Sequence, residues 1–196
     1  MAPLYGLVLA GGRSVRMGRD KGAIPWHGRE QRYYMADMLA PLCEHVYISC
    51  RAEQQDEIDA AYHTLPDSYE GGGPLIAILS AFRARPDVAW LVVACDLPLL
   101  DAGTLRYLIA NRDAKGIATT FRGPEDGLPE PLVTIWEPAA YAILLQHIAN
   151  GYKCPRKALI FNEANVRMLD APDAAKILNA NTQADADKVM QLLKGD

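Results

Sequence analysis

The chain alternates between short, wholly apolar runs and longer segments whose apolar positions recur every three or four residues. Leu4 to Ala10 is the first run, closed by Gly11-Gly12, and its lack of polar positions fits a strand covered on both faces. Gly28 to Leu42 then sets Tyr34, Met35, Met38, Leu39 and Leu42 on one side of a predicted helix. A strand at His45 to Cys50 follows, then a polar helix around Glu53 to Tyr62, a helix from Pro74 to Arg83, and an almost wholly apolar strand from Trp90 to Cys95. Pro74 comes just after Gly71-Gly72-Gly73, which suits the first turn of a helix whose entry loop can lie close to a ligand. Asp101 is placed to cap a further helix running to Asn111.

The second half is less regular. It predicts a strand at Gly116 to Thr120, a proline-rich hairpin or loop through Pro124 to Pro131, a strand at Leu132 to Trp136 and a helix over Glu137 to Ala149. A short edge strand at Val166 to Asp170 and an amphipathic helix over Ala184 to Leu193 complete the pattern. The βαβα alternation implies an α/β fold, a three-layer α/β/α sandwich around a mostly parallel sheet, with ligands bound outside the carboxyl ends of the strands. A chain of 196 residues without an internal repeat or linker suits a single domain spanning 1–196.

Composition narrows the partners. Half the residues are hydrophobic and 22% are charged, as in a folded soluble protein, and the net charge of −4 offers no broad positive field. No nucleic acid is expected, and a phosphate site must be local. The four cysteines, Cys43, Cys50, Cys95 and Cys154, lack zinc-site spacing and read as ordinary buried thiols. Leu4 to Ala10 is too short to cross a bilayer and lacks the flanks of a signal peptide, so a cytoplasmic protein with no membrane association is expected.

The candidate chemistry begins in the loop after the first strand, Gly11-Gly12-Arg13-Ser14-Val15-Arg16-Met17-Gly18-Arg19-Asp20-Lys21-Gly22. Adjacent glycines let the backbone approach phosphate oxygens and aim N–H groups at them, and the arginines and Lys21 add charge. A solvated glycine-rich surface loop is the plainer alternative. It is not a Walker A loop, since Lys21 is followed by Gly22, and it holds no GxGxxG. Asp96 follows the apolar strand and precedes Leu97-Pro98, where a carboxylate could hold Mg2+ against phosphates or simply cap a turn. Thr182 could cap the last helix, with Asn179 and Asn181 free to bond phosphate oxygens or the water shell of a metal.

The run Leu9-Ala10-Gly11-Gly12-x-Ser14-x-Arg16-Met17-Gly18-x-Asp20-Lys21 resembles the N-terminal signature of the molybdenum cofactor guanylyltransferases, the MobA family, within the nucleotidyltransferases of glycosyltransferase-A-like fold. Cys95-Asp96-Leu97-Pro98 resembles the family's metal-binding motif, Gly73-Pro74-Leu75 its nucleotide-side loop, and Asn179-Ala180-Asn181-Thr182 its Asn-x-Asn-Thr motif. The resemblance implies transfer of GMP from GTP to the terminal phosphate of molybdenum-molybdopterin, with Mg2+ as cofactor and molybdoenzyme-maturation proteins as further partners. It assigns Asp96 to the metal, Lys21 and Arg16 to the triphosphate and pyrophosphate, and Leu9, Ala10, Gly11, Gly12, Ser49 and Asp67 to the nucleotide. It gives Lys153, Arg156, Asn179 and Asn181 to the acceptor, the first two from a Gly-led basic segment at Gly151 to Lys157 that equally reads as a solvated loop.

The sequence departs from the family pattern at several places. Ile76-Ala77 stands where a small residue and then Gly are common, Ser49 where some relatives have Asn, Pro155 where an apolar residue is usual, and Arg29-Glu30 within the usual Gly-x-Pro. Two other readings remain open: a cytidylyl or sugar-phosphate nucleotidyltransferase on the same fold, and a nucleotide-binding regulator without catalysis.

Overall fold

The computed structural model describes residues 1–10, 21–180 and 182–194. Its frame is a seven-stranded sheet in the order β3-β2-β1-β4-β6-β5-β7, built from β1 (Leu4–Leu9), β2 (Val46–Cys50), β3 (His63–Pro66), β4 (Ala89–Ala94), β5 (Ala118–Arg122), β6 (Pro129–Trp136) and β7 (Val166–Leu169). All neighbours pair in parallel except β6, which runs antiparallel to both β4 and β5. The expected mostly parallel α/β/α sandwich is therefore present, with one reversed strand off its centre.

Strand alternation distributes the core between the two faces. On one face Leu4, Val8, Leu91, Val93, Val133 and Ile135 meet Met35 and Leu39 of α1 (Gln31–Leu39) and Leu105 and Leu108 of α3 (Ala102–Ala110). On the other, Tyr5, Leu7, Trp90, Val92 and Trp136 meet α2 (Pro74–Ala84), α4 (Ala140–Ala149) and α5 (Pro155–Phe161). β1 and β4 are covered on both sides, which is why their sequences carry no polar alternation. The last helix is α6 (Gln183–Lys194).

Three expectations need correction. The segment from Glu53 to Tyr62 is not a helix: a 3-10 turn at Ala52–Glu57 leads into β3, whose Leu65 alone is buried, so its strand period is hidden. The basic segment at Gly151 to Lys157 is only half loop, because Pro155 opens α5 at a position where its missing N–H is of no consequence. Of the cysteines, Cys50 and Cys95 are buried, but Cys43 is half-buried and Cys154 exposed. No helix among the described residues is long and apolar enough to cross a membrane.

Candidate active site

The carboxyl ends of β1 and β4 open together at the middle of the sheet. The Ala10 N–H donates to Ser49 O (3.3 Å) and the Cys95 N–H to Leu9 O (3.4 Å), so Leu9 and Ala10 are held between β2 and β4 as the chain leaves β1. Gly11, Gly12 and Arg16 lie outside the described residues, as do Asn181 and the side chain of Lys21, whose backbone begins a 3-10 turn at Lys21–Ala23. Asp96 stands two residues beyond β4, half-buried, at this same end. The Ala180 N–H donates to Asp96 O at 2.7 Å, which straps the Asn179-Ala180 segment across the aspartate. Thr182 caps α6 as the sequence suggests: its Oγ1 accepts from the Asp185 N–H (3.2 Å) while Asp185 Oδ2 accepts from the Thr182 N–H (2.8 Å).

A carboxylate that sequence reasoning passed over completes this group. β6 pairs with β4 as far as Val93↔Val133, and Glu130, three residues before Val133, lies at this same end of the sheet, close enough to Asp96 for the two carboxylates to repel. Glu130 is 3% exposed. Its carboxylate accepts from the Leu132 N–H (3.1 Å) and from Arg156 Nη2 (3.1 Å). Burial pushes the Glu130 carboxyl up and Asp96 adds to this, while the Leu132 N–H, Arg156 and Asn179 pull the other way. Arg156 also reaches Asp126 at 2.7 Å. These side chains line a cavity of about 310 Å³ together with Pro124, Leu178 and Asp185. The signal was a glutamate between two prolines at the head of an apolar run, Pro129-Glu130-Pro131-Leu132, which looks like turn chemistry until its strand is known to run antiparallel.

The opposite flank is built by β2, β3 and the entry to α2. Ser49 is buried within β2. Asp67 follows β3, its N–H donating to Cys50 O (3.0 Å), and its Oδ1 is buried without a hydrogen-bond partner. Burial raises the Asp67 carboxyl; nearby Arg51 lowers it and Glu53 raises it further. Gly73 precedes α2 at φ 95°, a conformation that strains any side-chain-bearing residue. Ile76 and Ala77 are buried in the first turns of α2, so that departure from the family pattern is filled by packing within the chain itself. Lys153 is exposed on the segment before α5. His27 Nε2 donates to Pro98 O at 2.8 Å while its ring stacks on Tyr34 with centroids 3.9 Å apart, so the turn after Asp96 is fastened to α1.

The donor set can be tested against a divalent metal. Among the described residues no three His, Cys, Asp or Glu side chains converge into a cage. Mg2+ does not require one, since it is ordinarily held by one or two protein oxygens, retained waters and substrate phosphates. Asp96 supplies a carboxylate. Asn179 supplies a buried side-chain Oδ1 with no hydrogen-bond partner. Hard oxygen donors of this kind fit such an ion.

Comparison with known proteins agrees with this architecture. Residues 6–165 match the family described as the MobA-like NTP transferase domain. A molybdenum cofactor biosynthesis bifunctional protein of Synechocystis sp. is 36% identical over 93% of this chain, which spans about half (52%) of that protein's length. A molybdenum cofactor guanylyltransferase of Pseudomonas putida is 32% identical over 82% of this chain and 84% of its own. The crystal structure of molybdopterin-guanine dinucleotide biosynthesis protein A from Archaeoglobus fulgidus superimposes with a TM-score of 0.81 at 21% identity, covering 98% of this chain and 100% of that one, and shares the fold. With its family signature following β1 and Asp96 following β4, the chain belongs to the MobA-like NTP transferase family.

Proposed function

We propose that the chain transfers GMP from GTP to the terminal phosphate of molybdenum-molybdopterin, giving the guanine dinucleotide cofactor and pyrophosphate. The guanylyltransferase names of its relatives support the reaction. The observation that carries it is the convergence at the carboxyl ends of β1 and β4, where Ala10 is bonded to Ser49 and Asp96 is strapped by Ala180.

An oxygen of the acceptor phosphate attacks the α-phosphorus of GTP. A new P–O bond forms as the bond from the α-phosphorus to the β-bridging oxygen breaks, and pyrophosphate leaves with the electron pair. The nucleophile is already anionic, so no dedicated base is needed, and positioning with charge neutralisation dominates. Gly11 and Gly12 offer backbone N–H groups to the phosphates, and Arg16 and Lys21 stabilise the departing pyrophosphate. Leu9, Ala10 and Ser49 form the floor beneath the nucleotide, which Asp67 orients. Asp96 and Asn179 Oδ1 would hold Mg2+, which when bound neutralises charge on the reacting phosphates. Arg156 and Lys153, with Asn181, hold the acceptor phosphate.

Pyrophosphate release with purified molybdenum-molybdopterin, Mg2+ and each of GTP, CTP, ATP and UTP tests the proposal. Turnover with GTP well above the other three is expected, abolished by a chelator and restored by Mg2+. Turnover with CTP in place of GTP would assign the chain to cytidylyl transfer. Tight GTP binding with no pyrophosphate from any nucleotide would make it a binder without catalysis.

A further inference from the structure

Arg156, which the proposed function gives to the acceptor phosphate, lines a cavity walled mainly by negative charge. Glu125, Asp126, Glu130 and Asp185 share that wall, and among its described residues Arg156 is the sole cation. Two of the carboxylates already hold the guanidinium: Nη1 donates to Asp126 Oδ2 at 2.7 Å and Nη2 to Glu130 Oε2 at 3.1 Å. The two partners are unequal. The Glu130 side chain is 4% exposed and its other oxygen accepts from the Leu132 N–H at 3.1 Å, so parting it from Arg156 would strand a buried charge. The Asp126 side chain is 43% exposed, and its bond to Arg156 can be exchanged for water at little cost. Asp126 belongs to the turn at 123–128, which keeps its own bonds: Asp126 Oδ1 accepts from the Leu128 N–H at 3.0 Å, and the Gly123 N–H donates to Leu128 O at 2.7 Å. A guanidinium fork matches carboxylate and phosphate oxygens alike, so the carboxylate on Nη1 occupies the place a phosphate would take.

Resting on the reading of Arg156 as an acceptor-phosphate residue, we infer that Asp126 is an internal competitor for that phosphate: its carboxylate holds Arg156 Nη1 until an anion displaces it, while Glu130 keeps the guanidinium in place throughout. Both anions cannot share Nη1, so binding trades one for the other. The apparent affinity of any phosphate at Arg156 is then lowered by the fraction of molecules in which Nη1 is free. An exposed ion pair is worth a factor of about two to five in equilibrium, and that is the size of the competition. The same exchange unties the turn at 123–128 from α5 whenever the phosphate is bound, and the returning carboxylate helps the product leave.

The test is calorimetric titration of inorganic phosphate into the full chain with a non-hydrolysable GTP analogue and Mg2+ already bound, so that the loop after β1 is filled. Asp126→Asn keeps the Oδ1 bond to Leu128 and removes the charge from Arg156, and should bind phosphate about two to five times more tightly than the parent. In turnover with GTP and molybdenum-molybdopterin, the same variant should lower the KM for the acceptor by a similar factor at constant kcat. Asp170→Asn removes an equal charge from the exposed pair with Arg122 and should bind phosphate as the parent does. On an Arg156→Met background, Asp126→Asn should bring no gain. Parental or weaker phosphate binding in Asp126→Asn, an equal gain in Asp170→Asn, or a gain that persists without Arg156 would overturn the inference. Should Arg156→Met fail to fold, the two Asn variants decide alone. A parent that releases pyrophosphate while Asp126→Asn matches it in phosphate affinity and KM sinks this inference alone. A parent that neither binds the GTP analogue nor releases pyrophosphate sinks the proposed function with it.

Discussion

The ion pair between Arg112 and Glu137 offers the sharpest energetic test of the fold. Arg112 follows α3 and Glu137 follows β6, and they meet through two parallel hydrogen bonds, Nε to Oε1 at 2.6 Å and Nη2 to Oε2 at 2.9 Å. The side chains are 5% and 2% exposed, so both charges are out of water. Glu137→Gln removes the negative partner and leaves the guanidinium buried without compensation, a change that costs about 3–5 kcal/mol where an exposed pair would cost no more than about 1. For a chain of this size that corresponds to a fall in Tm of roughly 6–20 °C. Arg112→Met with Glu137→Leu removes both desolvated charges and should return to within about 1 kcal/mol of the parent, or exceed it. Urea unfolding followed by tryptophan fluorescence is the natural assay, because Trp90 and Trp136 are fully buried, and a constant m-value checks that only stability has changed. If Glu137→Gln costs less than about 1 kcal/mol, or the double variant costs the sum of the singles, the reasoning about buried charge fails here.

Four further outcomes are expected. Asp96→Asn should fold with an unchanged Tm and lose about 100-fold or more in turnover with Mg2+, the loss of several kcal/mol of charge stabilisation; near-parental pyrophosphate release would remove Asp96 from the metal. Asp101→Ala deprives α3 of the side chain that accepts from the Thr104 N–H at 2.8 Å and should cost about 1 kcal/mol. Burial alone would raise the Asp101 carboxyl, but the Thr104 hydrogen bonds and Lys176 hold it below the ordinary range, so the difference from the parent should be full at neutral pH and fade as pH falls below about 4; a pH-independent difference refutes the charged cap. Asp67 has the opposite sign: with its carboxyl raised by burial, the folded state disfavours the ionised form, so Asp67→Asn should melt above the parent at neutral pH, the gap closing toward pH 4, while calorimetry shows weaker GTP binding. Gly116→Ala would set a Cβ 2.5 Å from Asn165 O, a backbone atom that cannot swing aside, and should cost about 1–3 kcal/mol in urea titrations; parental stability would mean the β5–β7 edge gives way freely.

What could be read in advance followed from how completely an element is buried. β1 and β4 are covered on both faces, so their runs of Leu, Val and Ala admit only a central strand, and Asp101 before an apolar-periodic segment admits little but a cap. β3 escaped because one buried residue in four shows no period, and the polar stretch before it has a helical composition that tertiary context reduces to a 3-10 turn. α5 escaped because its cations suggested solvent, although Arg156 turns inward to Glu130 and Asp126. Glu130 was illegible for a different reason: its importance depends on the direction of β6, and nothing in Pro129-Glu130-Pro131 reports which way a strand will run. Asp96, by contrast, lies at the end of a parallel strand, where position in the sequence already implies position in the site.

The reversal of β6 also separates what can vary from what cannot. Parallel strands deliver residues to the site from their last positions, each followed by a loop that must then cross to a helix. β6 delivers Glu130 from nearly its first position, straight out of the turn at 123–128 in which the Gly123 N–H donates to Leu128 O at 2.7 Å. That turn lies at the rim of the cavity and supplies no strand pairing to β4. Insertions or replacements there can reshape one wall of the pocket while the strand behind keeps its register. A library confined to residues 123–128 is thus the route by which this scaffold could be taught a new acceptor without disturbing its grip on the nucleotide.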